Sequence, residues 1–140
     1  MPFAHVGLPV GNHYTEVRDF YKAILAPLGY ELMMEGEETT KQYCGFGTKD
    51  SGLDFWLLGD SNNVLNKYDG VLENRAAPVH VAFQGKSTEH IDGWYEAAIK
   101  AGAVDNGKPG PRPQYRKGYY GAFVLDPLGN NIEVVFVVED

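Results

Sequence analysis

The chain has 140 residues, 44% hydrophobic and 22% charged, a size and balance that fit one folded domain and exclude a disordered or membrane-spanning polypeptide. Formal net charge is −7, so its field repels nucleic acid and anionic membrane surfaces, and neither is expected as a partner. One cysteine, Cys44, cannot form an internal disulfide; with no basic leader or long apolar run, the expectation is a cytoplasmic protein.

Taken in chain order, the first strand is FAHVGLPV, Phe3 to Val10. An amphipathic helix follows: Val17, Phe20, Tyr21, Ile24, Leu25 and Leu28 recur on one face of a 3.6-residue period, and Pro27 with Gly29 ends it. Three strands are expected next, at Tyr30 to Met34, Lys41 to Gly47 and Leu53 to Leu58. The polar stretch 61–77 reads as a linker. The pattern then begins again. PVHVAFQ, Pro78 to Gln84, repeats the His-Val pair 75 residues on, His80-Val81 after His5-Val6. A second helix carries Ile91, Trp94, Tyr95, Ala98 and Ile99 at the same phase; Ser87 is its expected N-cap and Gly102 its end. The Gly- and Pro-rich Ala103 to Arg116 predicts a short or irregular strand. Tyr119 to Leu125 and Asn131 to Val138 are strands joined by the turn DPLGN. The expected organisation is a single domain: module one about 1–60, linker about 61–77, module two about 78–140.

Alternation along a strand puts His5 opposite Val6, Leu8 and Val10, and His80 opposite Val79, Val81 and Phe83. Each imidazole therefore leaves the face that a helix covers. Glu133 lies inside the apolar run NIEVVF, where an ionised carboxylate needs a partner. Aligned without a gap, GLDFWL places Asp54 at the position of Glu133. Two imidazoles and one or two carboxylates suit one divalent ion such as Zn, Ni, Co, Mn or Fe. The alternative is two core histidines, with Glu133 paired to Arg112 or Arg116. Trp56, Tyr115, Tyr119 and Tyr120 are candidate pocket residues. Lys108, Arg112, Arg116 and Lys117 form a positive cluster that reads either as a flap over a substrate carboxylate or phosphate or as a solvated loop. His13 and His90 stand near helix starts, and Cys44 reads as a buried, inert thiol.

At HVGLPV, DFYKAILAPLGYEL, HVAF and above all YYGAFVLDPLGNNIEVVF, the sequence resembles the vicinal-oxygen-chelate superfamily of glyoxalases, bleomycin resistance proteins and extradiol dioxygenases. The resemblance implies an α+β fold, two βαβββ modules forming a cupped, partly open mixed-sheet barrel with the helices outside. It implies metal ligands at His5, His80 and Glu133, with Asp54 where glyoxalase I has a fourth, glutamate, ligand; a register slip of two puts Trp56 there instead. It implies a metal-dependent lyase or isomerase of the lactoylglutathione lyase type acting on a small oxygen-rich molecule, with Glu133 or Asp54 as base, and a homodimer. A metal-free drug-binding protein or a ring-cleaving dioxygenase are the other readings within the family.

Overall fold

A computed structural model of the chain describes residues 3–75 and 79–139. The chain forms two compact units, residues 1–66 and 67–140, and each is a βαβββ module. In the first, β1 (Val6–Gly11) leads to α1 (Tyr14–Leu25), β2 (Glu31–Glu38), β3 (Lys41–Thr48) and β4 (Gly52–Asp60). In the second, β5 (His80–Gln84) leads to α2 (Thr88–Lys100), β6 (Val104–Pro111), β7 (Tyr119–Leu125) and β8 (Asn131–Val137). The sheets have the same order, β1-β4-β3-β2 and β5-β8-β7-β6. The first and last strand of each module pair in parallel and the other neighbours are antiparallel. Each is thus a mixed α+β sheet with one helix on it. Among the described residues no helix is long and apolar enough to cross a membrane.

The expected helix faces form. In the first unit Val17, Tyr21, Ile24 and Leu25 of α1 are fully buried, with Leu8, Val10, Phe46, Phe55 and Leu57 as their partners in the core. Burying each such side chain contributes about 1.5–3 kcal/mol, enough to commit that sheet face to the helix and leave the other available. In the second unit Ile91, Trp94 and Ala98 are buried together with Ala122, Val124, Ile132 and Val134. The α2 stripe is narrower than the periodicity predicts: Ile99 is exposed and Tyr95 only half-buried. Ser87 caps α2 as expected, its Oγ accepting from the His90 N–H at 3.0 Å. Gly29 closes the turn after α1 at φ 82°, a left-handed conformation that a side chain would oppose.

Three expectations change. The first strand begins at Val6 and runs to Gly11, so Phe3 to His5 lie before it. The Gly- and Pro-rich stretch forms an eight-residue strand, β6, longer than anticipated; its irregularity survives as register breaks between Asp105 and Gly107 and between Gly107 and Gly110. The linker also packs rather than spanning freely. Asn12 N–H donates to the Asn63 carbonyl at 2.9 Å, and Leu65 N–H donates to Asn12 Oδ1 at 2.9 Å. Further on, Tyr68 N–H donates to the Pro127 carbonyl at 2.8 Å. The linker's last residues and the expected strand start at Pro78 lie outside the described residues.

Candidate metal centre

The turn DPLGNN fixes the second unit's site. Asp126 and Asn130 are each 1% exposed. Asp126 Oδ1 accepts from the Leu128 and Asn130 N–H groups at 2.9 Å, and its Oδ2 accepts from Asn130 Nδ2 at 2.9 Å. Asn130 Oδ1 in turn accepts from the Val79 N–H at 3.1 Å. A buried polar knot whose members satisfy one another holds its geometry firmly. This one ties the start of β8 to the residue before β5.

The register that follows pairs His80 with Asn131 and Ala82 with Glu133. His80 and Glu133 lie two residues apart on one face, and His80 Nε2 stands 3.0 Å from Glu133 Oε1. The other ring nitrogen, Nδ1, is 3.1 Å from the Asn131 carbonyl oxygen. A carbonyl only accepts, so Nδ1 carries the proton. Nε2 then faces a carboxylate with its lone pair, an arrangement that calls for a cation between them: a proton, giving imidazolium, or a metal ion. Glu133 is 2% exposed and the His80 side chain 48% exposed, so the pair opens to solvent on the imidazole side.

The remaining carboxylate oxygen accepts a short hydrogen bond from the Tyr119 hydroxyl. Burial, and then the hydrogen bond and charge of Glu133, push the Tyr119 pKa up to about 12, so this hydroxyl keeps its proton. Gly121 makes room for the contact: a methyl group there would stand 3.2 Å from Glu133 Oε2. Phe123 pairs across the sheet with Glu133 and stacks on His80, ring centroids 6.2 Å apart. Among the described residues Glu133 pairs with His80 and with no arginine, the alternative reading of the sequence.

The first unit departs from this pattern. Val6 pairs with Phe55 as Val81 pairs with Ile132. Trp56 therefore occupies the place of Glu133, and Asp54 the place of Asn131, which corrects the ungapped alignment. The displacement is two residues, set by the β1–β4 pairing, and β4 also carries a bulge here: Phe46 pairs with Phe55 but Gly47 with Leu53, so Asp54 is the extra residue. Its Oδ2 accepts from the Tyr30 hydroxyl at 3.1 Å, and its Oδ1 is buried without a hydrogen-bond partner among the described residues. His5 precedes β1 and lies edge-on to Trp56, centroids 6.3 Å apart, with Tyr43 6.4 Å from the indole. Gly45 admits the ring, since a methyl group there would stand 3.0 Å from it. Among the described residues no three His, Cys, Asp or Glu side chains gather as a metal-holding group. The structure thus brings His80 and Glu133 together, and places His5 and Asp54 in the other unit.

Of the pocket candidates, Tyr119 joins the site and Tyr115 lies edge-on to it at 5.3 Å, 61% exposed. Tyr120 does not join: strand alternation turns it to the helix side, where its hydroxyl donates to Asp92 Oδ1 at 2.6 Å. Arg112 lies over the Phe123 ring, 5.5 Å from its centroid, and Arg116 is exposed. Phe123 and Gly121 escaped the sequence reading, although both share the alternation of Tyr119 and that signal identifies them. His13, at the start of α1, has Nε2 2.6 Å from the Leu65 carbonyl oxygen. Cys44 is fully buried.

Two βαβββ modules in one chain, the second with a histidine on its first strand and an acid on its last, fit a glyoxalase-type fold. Residues 3–134 match the sequence profile described as the Glyoxalase/Bleomycin resistance protein/Dioxygenase superfamily, and the chain belongs to that family. Solved structures share the fold. A glyoxalase/bleomycin resistance protein from Albidiferax ferrireducens is 23% identical, with 96% of this chain and 98% of that one covered at a TM-score of 0.67. A glyoxylase/bleomycin resistance protein/dioxygenase domain from Frankia sp. is 21% identical, covering 96% and 95% at 0.71. A mutant of the fosfomycin resistance protein FosX from Listeria monocytogenes, complexed with Mn(II) and dihydroxypropylphosphonic acid, is 16% identical, covering 97% and 92% at 0.62. No curated protein matches the chain.

Proposed function

We propose that His80 and Glu133 hold a divalent first-row cation, and that the chain is a metal-dependent lyase or isomerase acting on a small oxygen-rich molecule. The observation that carries this reading is the His80 Nε2 to Glu133 Oε1 approach of 3.0 Å with Nδ1 already anchored on the Asn131 carbonyl. That is the tautomer and donor pair that a borderline cation takes, with an outer-shell partner fixing the ring. The resemblance adds His5 as a third ligand. The FosX complex with Mn(II) shares the fold and supports the metal assignment. Such a cation, when bound, polarises a substrate oxygen. Tyr119 keeps its proton and donates a hydrogen bond to the second carboxylate oxygen of Glu133, which leaves Oε1 aimed at His80 Nε2. Asp54 has no part in this reading, being turned to Tyr30. A homodimer in the cytoplasm belongs to the same proposal.

Elemental analysis of protein loaded with single divalent metals tests it. The expected result is one equivalent of metal in the wild type and a loss in His80→Ala, Glu133→Ala and His5→Ala. No metal in the wild type overturns it. Methylglyoxal with glutathione is the first substrate pair to assay, and a flat progress curve with every metal removes the lactoylglutathione lyase type.

One observation favours a second reading, a metal-free binding protein. Trp56 stands where a second carboxylate would, and with Tyr43 and His5 it presents an aromatic surface on the first unit's sheet. Tight ligand binding by chelator-treated protein would select this reading.

A further inference from the structure

Within the sequence's positive cluster, the Arg112 guanidinium lies on the sheet face of His80 and Glu133. It packs over Phe123, the ring that stacks on His80. Its neighbours in the cluster go elsewhere: the Lys108 side chain is 80% exposed and pairs with Asp105 at 3.7 Å, and Arg116 is exposed.

The loop closes around the Arg112 guanidinium through its own backbone. Nη1 donates to the Gly110 carbonyl at 2.9 Å and the Pro111 carbonyl at 3.3 Å, and Nη2 donates to the Lys108 carbonyl at 2.7 Å. A methyl group at Gly110 would stand 3.2 Å from Nη1, and one at Gly107 would stand 3.4 Å from Nη2 and 2.9 Å from Phe123 Cδ1. The two glycines of this strand are therefore what let the guanidinium lie down against the chain. Carbonyl partners fix the plane of the group without neutralising it. Among the described residues none of its contacts is a carboxylate. Among the described residues Nε–H makes no contact, and Nη2 makes one with its two hydrogens; Nε and Nη2 form the side-on edge of the guanidinium.

We propose that Arg112 is an anion anchor: the fork on this edge receives a carboxylate or phosphoryl oxygen pair of the small molecule that binds at His80 and Glu133. The inference rests on the small-molecule reading of that face and narrows its ligand to an anion, in a protein whose net charge of −7 otherwise disfavours one. Arg112 acts as a specificity-determining residue. It holds the ligand's remote end by a fixed fork, while His80 and Glu133 meet the other end.

The test is side-chain NMR on the full-length, metal-free, ¹⁵N-labelled protein. Sodium acetate, sodium phosphate and sodium chloride are titrated separately at constant ionic strength to about 50 mM, above the millimolar range of one charge-assisted fork. The Arg112 Nε–Hε resonance is expected to move saturably with acetate or phosphate and not with chloride. The better of the two anions identifies the class, carboxylate or phosphoryl. His80 and Phe123 resonances, which follow binding in any variant, are expected to lose the response in Arg112→Gln, and Arg112→Lys is expected to weaken it about tenfold. Equal movement with chloride, no saturation, or an unchanged response in Arg112→Gln overturns the inference. Should Arg112→Gln not fold, the Arg112→Lys comparison decides. Metal uptake separates the two proposals: Glu133→Gln is expected to lose metal and keep the anion response, and Arg112→Gln the reverse.

Discussion

Glu133→Gln separates a structural carboxylate from a metal ligand. The amide is nearly isosteric. Its oxygen can still accept from Tyr119, and its NH2 can donate to the His80 Nε2 lone pair that Nδ1–H to Asn131 leaves free. The metal-free variant is therefore expected to keep its stability within about 1 kcal/mol. The metal-linked part behaves differently. At a free metal concentration of 100 times Kd, a bound ion stabilises the wild type by about 2.7 kcal/mol. For a chain of this length that raises Tm by roughly 10 °C. If loss of the charged ligand weakens affinity about 100-fold, the same metal concentration equals the new Kd. The gain then falls to about 0.4 kcal/mol, roughly 1–2 °C. Differential scanning fluorimetry with Mn(II), Zn(II), Ni(II) or Co(II) reads both numbers. The same large shift in wild type and variant, or none in the wild type with any metal, refutes the reasoning.

Other outcomes follow from neighbouring contacts. Tyr119 and Tyr30 are both pushed up to about 12, chiefly by burial and then by Glu133 and Asp54. Their contribution to stability is complete below the unfolded pKa of about 10 and is lost as pH rises through about 12; Tyr119→Phe should flatten that alkaline fall in the urea midpoint. The Tyr14 hydroxyl, and then the Arg18 guanidinium, hold the Glu35 carboxyl below the usual carboxylate range. Its contribution is present above about pH 4.5 and fades as pH falls through the lowered value; because the pair is partly exposed, Glu35→Gln should change acid stability by less than about 1 kcal/mol. Gly118→Ala should destabilise by about 2 kcal/mol or more in denaturant titration, since φ is 81° there and a methyl group would stand 2.0 Å from the Val138 carbonyl oxygen. Gly45→Ala should displace the indole of Trp56 and shift its fluorescence, while Trp94, fully buried on the inner face of α2 in the other unit, stays unchanged.

Much of this was legible in the sequence because it rests on periodicity. The 3.6-residue phase of Val17, Tyr21 and Ile24 and the two-residue alternation around His80 and Glu133 each specify a face, and the structure uses those faces. DPLGNN was legible as a turn but not as a buried knot, since burial of Asp126 and Asn130 depends on where Val79 arrives. Asp54 misled for a physical reason. Asp54 and Trp56 lie two residues apart, so alternation does not distinguish them, and the pairing of Val6 with Phe55 decides which of them takes the place of Glu133. Phe123 was missed because an aromatic residue in an apolar strand reads as core. The Arg112 cradle was hidden because the Gly and Pro residues that suggested a broken strand instead shape one around a guanidinium.

Anomalous diffraction from crystals grown with Mn(II) bears most directly on the central claim. The account predicts an anomalous peak bonded to both His80 Nε2 and Glu133 Oε1 at about 2.0–2.3 Å, with the imidazole still anchored through Nδ1 on Asn131. A peak elsewhere, or His80 and Glu133 in direct contact with no ion between them, contradicts it.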